Sequence, residues 1–303
     1  MSVFSRVVMA LTEAGPVERT ITGTGPGKAL AGRFVAGDTL DEGVAAARRL
    51  NEHGFLVSLD LLGEECRDRA TAIGARDEYV EGLVRIHSES LDANISIKLT
   101  QLGLAFDESL AIDLLESLAH RAAEAGTTVT IDMEDSRYTE ATVRLYEKSQ
   151  SAHGNLGIAL QAYLHRTPSD LKRLMPLGGH IRLCKGAYVE DADVALTSGR
   201  DVDEAFANQL SELMGFEEVR PAVATHDLAL VDLTRELARS RKGPFEFQML
   251  YGIRTTLQHE LVDAGLAVRI YLPFGSKWYP YLTRRLAERP SNAWFFVRSV
   301  FGG

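Results

Sequence analysis

The sequence has few cysteines and no long apolar run. Its two cysteines, Cys66 and Cys184, lie far apart and form no CxxC pair, so a zinc cage or a disulfide framework is not expected. No apolar stretch approaches the ~20 residues that a membrane-spanning helix requires. The net charge of −9 lacks the basic excess that is typical of nucleic-acid-binding proteins. These absences predict a soluble globular protein of a reducing cytoplasm, without a nucleic-acid partner.

The common nucleotide and metal motifs are also missing. The segment GTGPGKA at 23–29 resembles a phosphate loop, but Ala29 stands where Ser or Thr is needed and no strand precedes it. We interpret it as a structural loop. No GxGxxG follows a strand, so a dinucleotide would not be held in the Rossmann manner. The pair His259-Glu260 lacks the second histidine of HExxH, and no metal site is predicted.

Eight short apolar or alternating runs recur from residue 54 onward, and each is bounded by turn residues. They are FLVSLDL, ANISIKL, TTVTIDM, GIALQAY, HIRLCKG, PAVATH, FEFQML and VRIYLP. Segments with helical spacing separate them, among them 107–125, 140–153, 203–214 and 228–240. Alternating strands and helices predict parallel strands joined by crossovers. Because no linker interrupts the eight units, the pattern favours one (βα)8 barrel over a two-domain doubly wound sheet.

The first fifty or so residues have a helical pattern without an evident strand. We expect residues 1–53 to form a helical segment that packs on a barrel built from residues 54–303. Within this segment, 40–53 is predicted to be a helix that begins near Thr39 or Asp41.

Side-chain alternation predicts which polar residues point into the barrel. In ISIKL, Ile95 and Ile97 share one face of the strand and Lys98 lies on the other. The same alternation places a set of polar residues on inner faces near the carboxyl ends of their strands. They are Lys98, Asp132, Gln161, Arg182, His226, Gln248 and Tyr271. Since that end of a barrel carries the active site, we expect these side chains to converge on one cavity.

Several cations are expected at this barrel mouth. They are Lys98, Arg182, Lys185 and the adjacent pair Arg284 and Arg285. Gathered cations predict an anionic ligand, and adjacent arginines suit a carboxylate or a phosphate. Two alternatives stay open at this point. Lys98 and Asp132 could neutralise one another, and Arg284 could be a solvated helix residue that faces Glu288.

Seven motifs in fixed order resemble those of the monofunctional bacterial proline dehydrogenases. They are SIKLT, TIDMEDS, LQAYL, RLCKGAYVE, ATHD, FEFQMLYG and YLPFGSKWYPYLTRRLAERPSNAWFF, and the match runs from about Leu59 to the C-terminus. The resemblance implies a distorted (βα)8 barrel that carries FAD at the carboxyl ends of its strands. It further implies oxidation of L-proline to Δ1-pyrroline-5-carboxylate, the first step of proline degradation to glutamate. Hydride would pass to flavin N5, and electrons would then pass to a membrane quinone through peripheral membrane contact.

The resemblance also implies roles for individual residues. Arg284 and Arg285 would hold the proline carboxylate together with Lys98, and Asp132 and Arg182 match the catalytic residues. Arg182 would lie beside flavin N5. The aromatic residues that line the substrate site would be Tyr188, Tyr271 and Tyr281. The flavin contacts would be Met133, Gln161, Arg182, Lys185, Gly186, Ala187, Thr225, His226 and Gln248. Glu64 matches a residue that pairs with the first arginine of the last helix and gates the substrate site.

Two other functions fit the same pattern of residues. Barrels often place a reactive lysine at a strand end, so Lys98 or Lys185 could serve a Schiff-base aldolase or another lyase. A barrel that binds flavin or an amino acid without turnover is the second alternative.

Overall fold

A closed barrel of eight parallel strands forms the centre of the molecule. The computed structural model describes residues 31–63 and 65–288, with side chains described as far as residue 283. The strands follow one another around the barrel in chain order, which confirms the predicted (βα)8 architecture. Their bounds are β1 Leu56–Leu61, β2 Ala93–Ile97, β3 Val129–Ile131, β4 Leu156–Gln161, β5 Gly179–Cys184, β6 Val219–Ala224, β7 Glu246–Leu250 and β8 Val268–Phe274.

Helices alternate with the strands along the described chain. Helix α1, Leu40–Glu52, precedes the barrel, and one α-helix follows each strand. These are α2 Arg69–Ser88, α3 Glu108–Glu124, α4 Ser136–His153, α5 Thr167–Leu174, α6 Gly199–Gly215, α7 Leu228–Ala238, α8 Thr255–Asp263 and α9 Tyr279–Glu288. Within residues 31–63 and 65–288, no helix combines the length and apolar character needed to cross a bilayer.

A capping box fixes the start of helix α1. The Thr39 side chain accepts from the Glu42 backbone N–H, and the Glu42 carboxylate accepts from the Thr39 backbone N–H at 3.0 Å. Such a cap satisfies backbone donors that the first helical turn leaves unpaired and stabilises a helix by ~1 kcal/mol. Of the two predicted starts, Thr39 is therefore the one realised.

The apolar core lies between the barrel and its helices, while the barrel interior is polar. Ile95 and Ile97 belong to the buried apolar shell, and Ile95 lies close to Gly82 of α2. Residues of the opposite parity form hydrogen bonds inside, where Ser58 donates to Asn94 and Asn94 donates to Thr130 at 3.2 Å. Period-two alternation thus divides each strand into a face for packing and a face for polar contacts.

Residues 31–37 pack across the carboxyl end of the barrel. Phe34 and Val35 form a small buried cluster with residues of the α9 region, among them Trp278 and Leu282. The backbone continues the contact, because the Ala36 N–H donates to the carbonyl of Pro273 at 2.8 Å. The described part of the N-terminal segment thereby covers the loops that lead into α8 and α9.

Substitution of Gly252, in the β7–α8 loop, provides a test of the packing of residues 31–37 on this loop. Gly252 has φ +72°, and a Cβ added there would lie 1.8 Å from the carbonyl oxygen of Arg33. Gly265 has a similar φ of +77° with open space around it, so Gly265→Ala should cost only the ~1–2 kcal/mol of left-handed backbone strain. Gly252→Ala should destabilise more, because it also displaces residues 31–37.

The measurement is urea unfolding of both variants, combined with trypsin cleavage after the exposed Arg33. We expect faster cleavage in Gly252→Ala than in Gly265→Ala. Equal stability and equal cleavage in the two variants would show that residues 31–37 do not pack on this loop.

Candidate active site

A cavity of about 710 Å³ opens at the carboxyl ends of the strands. This volume lies within the range of small-molecule and cofactor sites. Most of the residues singled out in the sequence line it. They are Lys98, Asp132, Met133, Gln161, Arg182, Lys185, Gly186, Ala187, Tyr188, Thr225, His226, Gln248, Tyr271 and Tyr281. The barrel thus brings these residues together, whereas their individual roles stay predictions.

The side chains of three predicted site residues are not among those that the structure describes. Glu64 lies outside the described residues. Arg284 and Arg285 lie on helix α9, whose backbone is described, but their side chains are not. The first turn of α9 reaches the cavity, because Pro280 and Tyr281 line it.

Asp132 is the centre of a buried polar cluster at the floor of the cavity. Its carboxylate accepts from Ser96 at 2.8 Å, from the Tyr271 hydroxyl at 2.6 Å and from the Arg182 guanidinium. The Arg182 guanidinium also lies over the Tyr271 ring, 5.2 Å from its centroid. Bonds from several strands therefore hold Asp132 in one position.

Lys98 lies beside this cluster and contacts two carboxylates. Its ammonium donates to Asp60 at 2.7 Å and lies 3.7 Å from Asp132. Burial by itself would lower the pKa of Lys98, but the charges of Asp60 and Asp132 outweigh it and raise that pKa above its ordinary value. An ammonium has three N–H donors, so Lys98 can serve both carboxylates and still offer a donor to a ligand.

The two carboxyl groups differ in their affinity for a proton. Burial would raise the pKa of Asp132, but Arg182 and Lys98 hold it below the ordinary value. Burial dominates at Asp60 and raises its pKa despite the contact with Lys98. For Tyr271, burial and then the neighbouring carboxylates raise the pKa well above the ordinary value, so its hydroxyl stays protonated and donates. Asp132 is therefore the fixed anion of the cluster, and Asp60 accepts a proton more readily.

Asp60 was not among the predicted site residues, although the signal was present. In LVSLDL, Asp60 has the parity of Ser58 and the opposite parity to Leu59. The alternation that predicted Lys98 to point inward applies equally to this strand. Asp60 is almost completely buried, and its contact with Lys98 makes it part of the site.

Carboxylates neutralise Lys98, Arg182 and Lys185, three of the five cations expected at the barrel mouth. Lys98 and Arg182 are paired as described above. Lys185 contacts Asp227 at 2.8 Å and Asp203 at 2.5 Å. Burial would lower the pKa of Lys185, but these two carboxylates raise it. Lys98, Arg182 and Lys185 thus do not by themselves demand an anionic ligand, and the predicted carboxylate clamp depends on the arginine pair of α9.

Gln161 connects two loops at the rim of the cavity. Its side-chain oxygen accepts from the Ala187 backbone N–H at 3.1 Å, and its nitrogen donates to the Glu134 carbonyl at 2.9 Å. Gly186, which precedes Ala187, has φ +133°, and a Cβ added there would lie 2.3 Å from the Tyr163 ring. The Tyr163 ring and this backbone conformation are what require glycine here.

A second polar cluster lies below the cavity, inside the barrel. Glu246 is fully buried and accepts from Arg269 at 2.7 Å and from Arg220 at 3.0 Å. Gln248 lines the cavity but directs its amide to Glu246, His180 and Arg182. The amide is thus engaged inside the barrel, and the predicted flavin contact of Gln248 stays a prediction. Burial would raise the pKa of Glu246, yet Arg269 lowers it to about 2.

The sequence is similar to proline dehydrogenases over most of its length. Residues 44–298 match the family model described as proline dehydrogenase. Proline dehydrogenase 1 of Bacillus subtilis (strain 168) is 38% identical over 271 residues, which cover 88% of this chain and 89% of that protein. Proline dehydrogenase of Deinococcus radiodurans is 35% identical over 286 residues, which cover 90% of this chain and 91% of that protein.

Solved structures of proline utilization A share the fold. That of Bdellovibrio bacteriovorus, inactivated by N-propargylglycine, has a TM-score of 0.81 at 22% identity and covers 91% of this chain. A structure from Bradyrhizobium japonicum has a TM-score of 0.75 at 25% identity and covers 89% of this chain. This chain spans only 34% and 32% of those two longer chains.

The second polar cluster, around Glu246 and His180, predicts that the stability of the protein depends on pH. Burial, together with the charges of Arg269 and Arg182, lowers the pKa of His180 from 6.5 to about 3 against the opposing charge of Glu246. Below pH 6.5 the unfolded chain binds a proton at His180 that the folded protein does not, so this stability is lost as the pH falls. Between pH 7 and pH 5 the loss from this group should be about 2 kcal/mol.

Urea unfolding at both pH values provides the measurement. His180→Asn should lose about 2 kcal/mol less than the unmodified protein between pH 7 and pH 5. His120→Asn changes an exposed position on α3. This variant should lose as much stability between pH 7 and pH 5 as the unmodified protein. An identical loss in the His180 variant and the unmodified protein would contradict a neutral buried His180.

Proposed function

The chain belongs to the proline dehydrogenase family and acts on proline as an oxidoreductase, and we propose that it uses FAD to oxidise L-proline to Δ1-pyrroline-5-carboxylate. We further propose that a membrane quinone accepts the electrons. The observation that carries the proposal is the placement of the Lys98, Asp132, Arg182 and Tyr271 cluster on the floor of one large cavity. The reaction is then the first step of proline degradation to glutamate.

The lining of the cavity fits FAD in its chemistry. The apolar residues Met133 and Met249 line the cavity and suit a flat ring, and the cations Lys185 and Arg254 line it and suit a diphosphate. When bound, FAD supplies the acceptor for a hydride equivalent. The residues proposed to hold it are Met133, Gln161, Arg182, Lys185, Gly186, Ala187, Thr225, His226 and Gln248.

The balanced charges of the described cluster fit a zwitterionic amino acid. Lys98 offers a donor to the substrate carboxylate, while Asp60 and Asp132 supply negative charge near its amine. We propose that Arg284 and Arg285 complete a charge-assisted clamp on the carboxylate, and that Glu64 pairs with Arg284 as a gate. The aromatic residues proposed to enclose the proline ring are Tyr188, Tyr271 and Tyr281.

Arg182 and Asp132 have complementary tasks in this proposal. Arg182 would face the reacting edge of the bound cofactor, where a fixed cation would stabilise developing negative charge. Asp132 holds the guanidinium and the Tyr271 hydroxyl at the same time. Positioning of groups before the reaction avoids reorganisation during it, which is how most of the protein's contribution arises.

The raised pKa values of the cavity lysines disfavour the lyase alternative. A Schiff base forms from an unprotonated amine, so enzymes of that class lower the pKa of their lysine. The carboxylates beside Lys98 and Lys185 raise the pKa of both ammonium groups instead. Both lysines are therefore charged at neutral pH and are poor nucleophiles.

We propose one catalytic barrel, residues 54–303, with residues 1–53 packed on it. We also propose that the protein works in the cytoplasm and touches the inner face of the cell membrane peripherally, because a membrane quinone must approach the cavity to collect electrons.

Spectra of the purified protein test the function. We expect a yellow protein whose flavin absorbance bleaches when L-proline is added without an acceptor and returns when a quinone analogue follows. Bound flavin that proline leaves unchanged would support the inert barrel instead. A colourless protein that borohydride links to a carbonyl substrate would support a lyase.

Replacement of the arginine pair tests the clamp. Arg284→Met and Arg285→Met should each raise KM for proline about 10- to 100-fold, because each removes a charged hydrogen bond that contributes roughly 1.5 to 3 kcal/mol. Flavin absorbance should be retained. Arg200→Met, on the exposed start of α6, is the matched control and should leave KM unchanged. An unaltered KM in both pair variants would reject the clamp.

A further inference from the structure

We propose that Gln248 is a positioning residue that fixes the Arg182 guanidinium from below the cavity, and that Glu246 holds Gln248 in the required orientation. The consequence for Arg182 at the cofactor rests on the proposed flavin function. The geometry of the contact does not depend on it.

Glu246 provides the fixed anchor of this arrangement. It lies two residues before Gln248 on β7, so both side chains point into the barrel. Arg269 contacts both carboxylate oxygens, at 2.7 and 3.2 Å, and Arg220 contacts one of them at 3.0 Å. A fully buried carboxylate with two arginine partners has little freedom to move.

The Glu246 carboxylate decides which way the Gln248 amide faces. An ionised carboxylate only accepts hydrogen bonds, so the NH₂ group of Gln248 must face Glu246, which it contacts at 2.7 Å. The same nitrogen lies 3.2 Å from His180 Nε2, and the depressed pKa of His180 leaves that ring neutral, so Nε2 accepts the second hydrogen when Nδ1 carries the ring proton. The amide oxygen is thereby directed toward Arg182, where it accepts from Nε.

Arg182 is consequently held from two opposite sides of the barrel. Asp132 follows β3 and accepts from Nη1, while Gln248 on β7 accepts from Nε. β3 and β7 face each other across the eight-stranded barrel, and Ser96 receives both Nη groups at 3.2 Å. Without Gln248, the guanidinium would lose its lower partner and keep its hydrogen bonds on the side of β2 and β3 and its contact with the Tyr271 ring.

A displaced Arg182 should alter the acceptor side of the reaction more than substrate binding. The guanidinium has no described contact with α9, where the proposed carboxylate clamp lies. Loss of the Gln248 bond should therefore change the flavin potential and the rate of flavin reduction, while KM for proline changes little. A merely structural contribution of Gln248 would lower stability and leave the potential unchanged.

The experiment compares Gln248→Met with Gln150→Met in the flavin-loaded protein. Methionine keeps the approximate length of the side chain and removes the amide. Gln150 is also buried, but its oxygen accepts from the Leu156 N–H at 2.9 Å at the start of β4, far from Arg182. We expect Gln248→Met to slow flavin reduction by proline about 10-fold or more and to make the flavin potential more negative. Gln150→Met should lower only the melting temperature.

A double-mutant cycle with Arg182→Met shows whether Gln248 acts through Arg182. In the Arg182→Met background, Gln248→Met should cause no further shift of the potential. Additive shifts, or an unchanged potential in Gln248→Met alone, would overturn the proposal.

A readout without catalysis separates this inference from the proposed function. Exchange of the Arg182 Nε–H with solvent, followed by NMR, should accelerate in Gln248→Met and not in Gln150→Met. Equal exchange in both variants would also overturn the proposal. If the unmodified protein is not reduced by proline, the proposed function fails, whereas the exchange result still tests the contact.

Discussion

The structure of the site depends on the buried ion pair between Arg182 and Asp132. Removing two charges from water is costly, and the cost is recovered only where geometry is good and the remaining donors and acceptors are satisfied. Here Ser96, Tyr271 and Gln248 satisfy them from three different strands. The pair therefore ties the strands of the barrel together and also places a cation on the floor of the cavity.

This arrangement assigns different tasks to the two faces of the barrel. The outer face contributes apolar side chains such as Leu59 and Ile97 to the shell beneath the helices, and burial of that shell is the main favourable term in folding. The inner face carries two polar layers, one around Glu246 and one around Asp132. Stability thus arises mainly outside the barrel, which leaves the interior free to hold charges in the positions that the chemistry needs.

Fold and cavity were predictable from the sequence because they follow from local periodicity. Strand alternation predicted that Lys98, Asp132 and Arg182 would meet, and they do so. The same rule, applied to β1, would have found Asp60. Gly186 was predicted to contact the flavin, which stays a prediction, whereas its close approach to the Tyr163 ring was not foreseen, because that contact involves a side chain from another loop. No local pattern indicates such a neighbour.

The amino-acid sequence by itself determined the order of strands and helices, the inward parity of the polar residues and the family to which the chain belongs. These properties depend on residues that are close in sequence or on motifs in fixed order. Only the tertiary structure decided which charges neutralise one another, since the partners Lys98 and Asp60, or Arg182 and Asp132, are far apart in the chain. Ionisation and hydrogen-bond direction depend on distances of a few ångströms, and closure of the barrel sets those distances.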